Sequence, residues 1–113
     1  MSPTTMTWIY LGVAGALEVG WAITMKYSQG FTRVGPTIAT YAMGLASFYF
    51  LALATERLPI GTAYAIWTGI GAAGTAILGI VLFAEPRDWP RLASLVLIVI
   101  GIAGLGLTAA GQP

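Results

Sequence analysis

The charged residues of this chain fall in clusters and leave three uncharged, mostly apolar runs, at 34–55, 58–84 and 92–113. Each is long enough for the roughly 20 residues that carry an α-helix across a hydrocarbon core. A fourth apolar stretch runs from about Thr7 to Tyr27 and is interrupted only by Glu18 before Lys26 marks its end. The pattern predicts four transmembrane helices, at about 7–27, 34–55, 59–83 and 91–109, within a single membrane domain spanning 1–113. The first helix is too long for a signal-peptide core and has no small-residue cleavage site, so it is expected to be retained.

The breaks between runs are short. Ser28-Gln29-Gly30 follows the first helix, with Pro36 near the start of the second; Glu56-Arg57-Leu58-Pro59 and Glu85-Pro86-Arg87-Asp88-Trp89-Pro90 supply the other two stops. Helices joined by such tight loops alternate up and down, which puts both termini on one side of the membrane. Trp8 and Trp89 sit at helix boundaries, where amphipathic rings favour the headgroup zone. Lys26, Arg33, Arg87 and Arg91 flank loops 1 and 3, against Arg57 alone at loop 2, and this bias favours loops 1 and 3 on the inside.

Composition agrees with lipid as the solvent: 58% of residues are hydrophobic and 8% charged, against about 25% charged in ordinary soluble domains. The net charge of +1 is spread over separate loops, so neither nucleic acid nor anionic headgroups are expected as partners. Absence of cysteine and histidine removes disulfides, thiolate chemistry, imidazole bases and the usual zinc ligand sets, and no cofactor is expected. Glu56, Glu85 and Asp88 read as loop acids, no phosphate-binding glycine loop is present, and an enzyme is not indicated.

Glu18 is the exception to an apolar interior. It lies about eleven residues into the first helix, roughly 15 Å from either end at a helical rise of about 1.5 Å. A charge there costs about 2.5–3.5 kcal/mol on insertion scales, a penalty that one apolar substitution would remove, so the default reading is functional. The bland alternative is a protonated glutamate bonded between helices. Gly15, Glu18, Trp21, Ala22 and Met25 share one helical stripe that should face a cavity. In the third helix Tyr64 and Trp67 share a face, and Gly69, Gly71 and Gly74 loosen the following turn, permit close approach and predict a kink. Aromatic faces beside a carboxylate suit cations. Ser47, central in the second helix, either orients Glu18 or bonds its own preceding turn. Ser94, Gly101, Ala103 and Gly104 give the fourth helix a small-residue surface for contact within or between subunits.

The segments ALEVGWAITMKYSQGFTR, SFYFLA, LPIGTAYAIWTGIGA and RLASLVLIVIGIAGL, together with the overall pattern, resemble the small multidrug resistance family over almost the whole chain. The nearer resemblance is to its guanidinium-exporting subtype. The resemblance implies an all-α membrane protein with four transmembrane helices per chain, assembled as an antiparallel homodimer. It makes Glu18 the shared proton- and substrate-binding carboxylate, Gly15, Trp21, Ser47 and Trp67 its supports, and Tyr64 part of the switching pocket. Trp21 distinguishes the subtype, because the quaternary-ammonium exporters carry small residues after their glutamate. One departure is Gly106, where the subtype usually has a lysine near the end of the fourth helix.

The implied function is a proton-coupled antiporter of the inner (plasma) membrane that exports guanidinium and small guanidinyl cations by alternating access. Its expected partners are that cation, protons, the lipid bilayer and a second copy of the chain. Two alternatives stay open on the residues: a broader quaternary-ammonium or multidrug exporter of the same family, and a non-transporting membrane partner subunit.

Overall fold

The computed structural model describes residues 2–110, which form four consecutive α-helices: α1 (Pro3–Tyr27), α2 (Val34–Thr55), α3 (Ile60–Phe83) and α4 (Trp89–Ala110). All four are long and apolar enough to cross a membrane, which makes this a multi-pass membrane protein. Helix satisfies every backbone group within its own segment, the condition that lipid imposes on a spanning chain. At the start of α1 the Ser2 side chain accepts a hydrogen bond from the Thr5 amide at 3.1 Å, and Pro3 occupies the first turn, where its missing N–H costs nothing.

Loop 1 is more elaborately built than the turn its sequence suggests. Gln29, Gly30 and Phe31 are consecutive left-handed residues, with φ of 52°, 71° and 67°. Buried Ser28 holds them: its hydroxyl donates to the Met25 carbonyl at 2.6 Å and accepts from the Phe31 amide at 3.1 Å. The Ser28 carbonyl takes the Thr32 and Arg33 amides. Phe31 then stacks on Tyr41, ring centroids 5.8 Å apart.

Side-chain contacts fix the directions of the helices. Thr24 meets Thr40 at 2.8 Å, Ser47 meets the Ala14 carbonyl at 2.7 Å, and Tyr10 packs on Phe50, so α1 and α2 run antiparallel. Gly15 faces Ile70, Glu18 faces Gly71 and Val19 faces Gly74, which makes α1 and α3 parallel neighbours. Tyr27 and Phe83, at their C-terminal ends, lie 5.2 Å apart, and loops 1 and 3 therefore emerge on the same face. α3 continues unbroken from Ile60 to Phe83; its glycines serve as seats for neighbouring side chains, Gly74 for Val19 and Gly69 for Ile102 of α4. Among the described residues α4 packs on α3 alone and is the least buried of the four.

The packed core occupies one end of the bundle. Leu11, Ala14, Ala54, Ala63, Ile66 and Trp67 are buried together, with Trp8, Phe50 and Leu58 around them, all toward the loop 2 end. Ser47 joins three helices there: fully buried, it donates to Ala14 of α1 and accepts from the Trp67 indole of α3 at 2.9 Å. Ser47→Ala should strand that indole N–H. A loss of about 1–2 kcal/mol is expected, between the average of about 0.6 kcal/mol for intramembrane hydrogen bonds and the larger cost of an unsatisfied buried donor. Reversible unfolding in mixed micelles measures it.

Candidate functional site

The end of the bundle that the core does not fill holds a cavity of about 1010 Å³ between α1 and α3, reaching from Glu18 to loops 1 and 3. On α1 its wall is Glu18, Trp21, Ala22 and Met25, the stripe defined by helical spacing; on α3 it is Thr68, Gly71, Ala72, Thr75, Ala76 and Gly79. These α3 residues recur at intervals of three and four and are small or hydroxylic, so one face of that helix is hollowed along its length. Its charged lining residues besides Glu18 are Lys26, Arg33, Glu85 and Arg91.

Glu18 lies against Gly71 because only a glycine leaves room. A β-carbon at position 71 would stand 2.5 Å from the Glu18 Cδ and 2.9 Å from its Cγ, far inside van der Waals contact. The carboxylate is half-buried, and its Oε2 is buried without a hydrogen-bond partner among the described residues. The Trp21 indole Nε1 is buried and unpartnered as well. Buried polar atoms in native proteins are nearly always paired, and the exceptions call for a reason. Here the two residues that carry an unpaired acceptor and an unpaired donor line the same cavity. A carboxylate so placed can take a proton or a cation that brings its own N–H donors. Among the described residues no three acidic, histidine or cysteine side chains gather as a metal site.

Of the residues singled out from sequence, Glu18 and Trp21 line this cavity, whereas Gly15, Ser47, Tyr64 and Trp67 do not. Gly15 seats Ile70, with no space for a larger residue. Ser47 bonds Ala14 and Trp67 rather than Glu18. Tyr64 packs at a tilt against Trp67, ring centroids 5.5 Å apart, and is 55% exposed, on the outer surface of α3. It lies seven residues before Gly71, a helical distance of about 10 Å toward loop 2. Thr68, Thr75, Glu85 and Arg91 were not anticipated. The two threonines could have been found from their spacing with Gly71, whereas Glu85 required knowledge of how loop 3 folds.

The sequence matches the family described as Small Multidrug Resistance protein over residues 6–98. A guanidinium exporter of Yersinia pseudotuberculosis serotype I (strain IP32953) is 57% identical over 104 residues, covering 92% of this chain and all of the relative. The guanidinium exporter of Escherichia coli (strain K12) is 54% identical over 103 residues, covering 91% and 98%. One from Citrobacter freundii is 55% identical over 103 residues, with the same coverage.

Gly71→Ala should force the Glu18 side chain off α3 or push the helices apart, at about 1–3 kcal/mol for overpacking. Gly12→Ala, where an added methyl meets open space, should be close to neutral or slightly stabilising. Parallel unfolding titrations of the two variants check the contrast.

Proposed function

Because the chain belongs to the small multidrug resistance family, we propose that it exports guanidinium and small guanidinyl cations in exchange for protons, by alternating access across the inner membrane. The observation that carries this reading is that Glu18 and Trp21, whose buried Oε2 and Nε1 have no partner among the described residues, both line one cavity. The names of the relatives support the substrate.

A planar guanidinium can donate two parallel N–H bonds to a carboxylate, which offsets the loss of water around both charges. The Trp21 ring adds an aromatic wall suited to flat cations. An ammonium without N–H groups has only the charge and the wall. One carboxylate serves proton and cation alike, so binding of either lowers affinity for the other. An inward proton gradient then drives cations outward, provided the empty charged carrier rarely switches sides.

One chain does not enclose such a pathway. Among the described residues α3 is the only helix that α4 packs on, which leaves most of its apolar surface for another contact. The Trp21 indole needs an acceptor, and a second copy bringing its own Glu18 to the same site supplies one. Antiparallel association recreates the inverted symmetry that makes inward-open and outward-open states equivalent, whereas a parallel pair opens both cavities to one side. The bias of basic residues toward loops 1 and 3 opposes insertion in both orientations, and the antiparallel homodimer requires that it be weak enough to overcome.

Three outcomes are expected. Glu18→Gln should abolish proton-driven guanidinium uptake into proteoliposomes while leaving membrane insertion intact; retained gradient-driven flux would refute the assignment. The wild-type KM for guanidinium should fall as pH rises, by up to about tenfold per pH unit, the limit for one competing proton. For the assembly, single cysteines placed at exposed Gln29 and Arg57 should each react with an impermeant thiol reagent from both sides of the membrane. One-sided labelling at each position would exclude the antiparallel homodimer.

A further inference from the structure

Two carboxylates line the cavity, Glu18 at its inner end and Glu85 at its mouth, and the second reaches there by a specific fold of loop 3. Ala84 takes a left-handed conformation, φ 52°, which turns the chain back so that the Glu85 amide donates to the Gly79 carbonyl at 3.3 Å. The Glu85 side chain then lies flat on Gly79, where any β-carbon would collide with its carboxylate. The other charged groups around the mouth, Lys26, Arg33 and Arg91, are all positive. For a cation approaching the cavity, Glu85 is thus the carboxylate met first among its described lining residues, with Glu18 further in.

Glu85 is already held by a guanidinium. Arg91 Nη2 donates to Glu85 Oε1 at 3.3 Å, a single long contact rather than the two short parallel bonds of about 2.7–2.9 Å that an arginine fork can make. Arg91 Nε is buried and has no partner among the described residues, so the fork is only partly used. The paired side chains are 37% and 40% exposed, within reach of solute, and such solvent-exposed pairs are weak. A free guanidinium, unconstrained by a tether, can make the bidentate contact that Arg91 does not.

We propose that Glu85 is an outer subsite where guanidinium-type cations bind before passing to Glu18, and that the Arg91 side chain occupies it as an internal competitor in the empty carrier. The proposal rests on the guanidinium reading of the cavity. It makes Glu85 a substrate-binding residue at the mouth and gives Arg91 the role of screening out cations that cannot displace a guanidinium.

Guanidinium flux into proteoliposomes separates this from a purely structural ion pair between the end of α3 and the start of α4. Glu85→Gln should raise KM roughly tenfold, the equivalent of one charge-assisted hydrogen bond, with maximal flux retained. Arg91→Gln should move KM the other way, lowering it about two- to fivefold by removing the competitor. Loss of maximal flux in both variants, or an unchanged KM in Glu85→Gln, would overturn the subsite. Binding of ¹⁵N-labelled guanidinium to Glu18→Gln protein in micelles reads the outer position alone: weak binding should persist there and vanish in Glu18→Gln/Glu85→Gln. Equal binding by those two proteins would also overturn it. If the wild type shows no guanidinium flux at all, the guanidinium reading itself fails and the subsite falls with it.

Discussion

A carboxyl group placed where lipid surrounds the helix has to be given space, a partner and a route to water, and the arrangement of this bundle follows from those three needs. Space comes from Gly71, whose missing side chain lets Glu18 lie against α3. The route is the hollow face that Thr68, Gly71, Thr75 and Gly79 leave along the same helix, opening between loops 1 and 3. The partner is what the chain withholds: Glu18 Oε2 finds no donor within the described residues, although hydroxyls and an indole lie on neighbouring helices. Ser47 and Trp67 are satisfied by each other and by the Ala14 carbonyl, so they stiffen the helices beneath Glu18 without quenching it.

This division gives the molecule two unlike ends. Toward loop 2 the helices are packed with buried aliphatic and aromatic side chains; toward loops 1 and 3 they part around the cavity. Glu18 stands at the boundary. A dense end and an open end within one chain are what an alternating-access carrier needs of each half, because exchange of the two conformations between antiparallel copies would close one mouth as the other opens. The strained turn at Gln29-Gly30-Phe31 and the left-handed Ala84 lie at the open end, and both shape the loops that frame the mouth.

Much of this architecture was legible along the chain. Four apolar runs punctuated by charge, proline and glycine lead to four spanning helices, and a lone acid in the first run, on one stripe with Trp21, leads to the cavity wall. What was hidden depends on contacts between helices. Ser47 could have bonded Glu18 or its own turn from the pattern alone; in the fold it bonds α1 and accepts from α3 instead. The α3 glycines allowed close approach, and only the fold shows that Val19, Glu18 and Ile102 are the side chains that press into them. Glu85 read as a surface acid because nothing local reveals that Ala84 turns it back onto Gly79. Tyr64 and Trp67 share a face as their spacing requires, yet that face lies below and outside the cavity of a single chain.

The central claim is that one carboxylate, Glu18, holds either protons or the cation. Guanidinium added to weakly buffered, detergent-solubilised protein tests it through the protons set free. Release that saturates with guanidinium binding, and that is absent in Glu18→Gln, is the predicted result. Saturable binding by the wild-type protein with no proton release anywhere between about pH 5 and 9 would contradict the account, since competition at a single carboxylate requires the exchange.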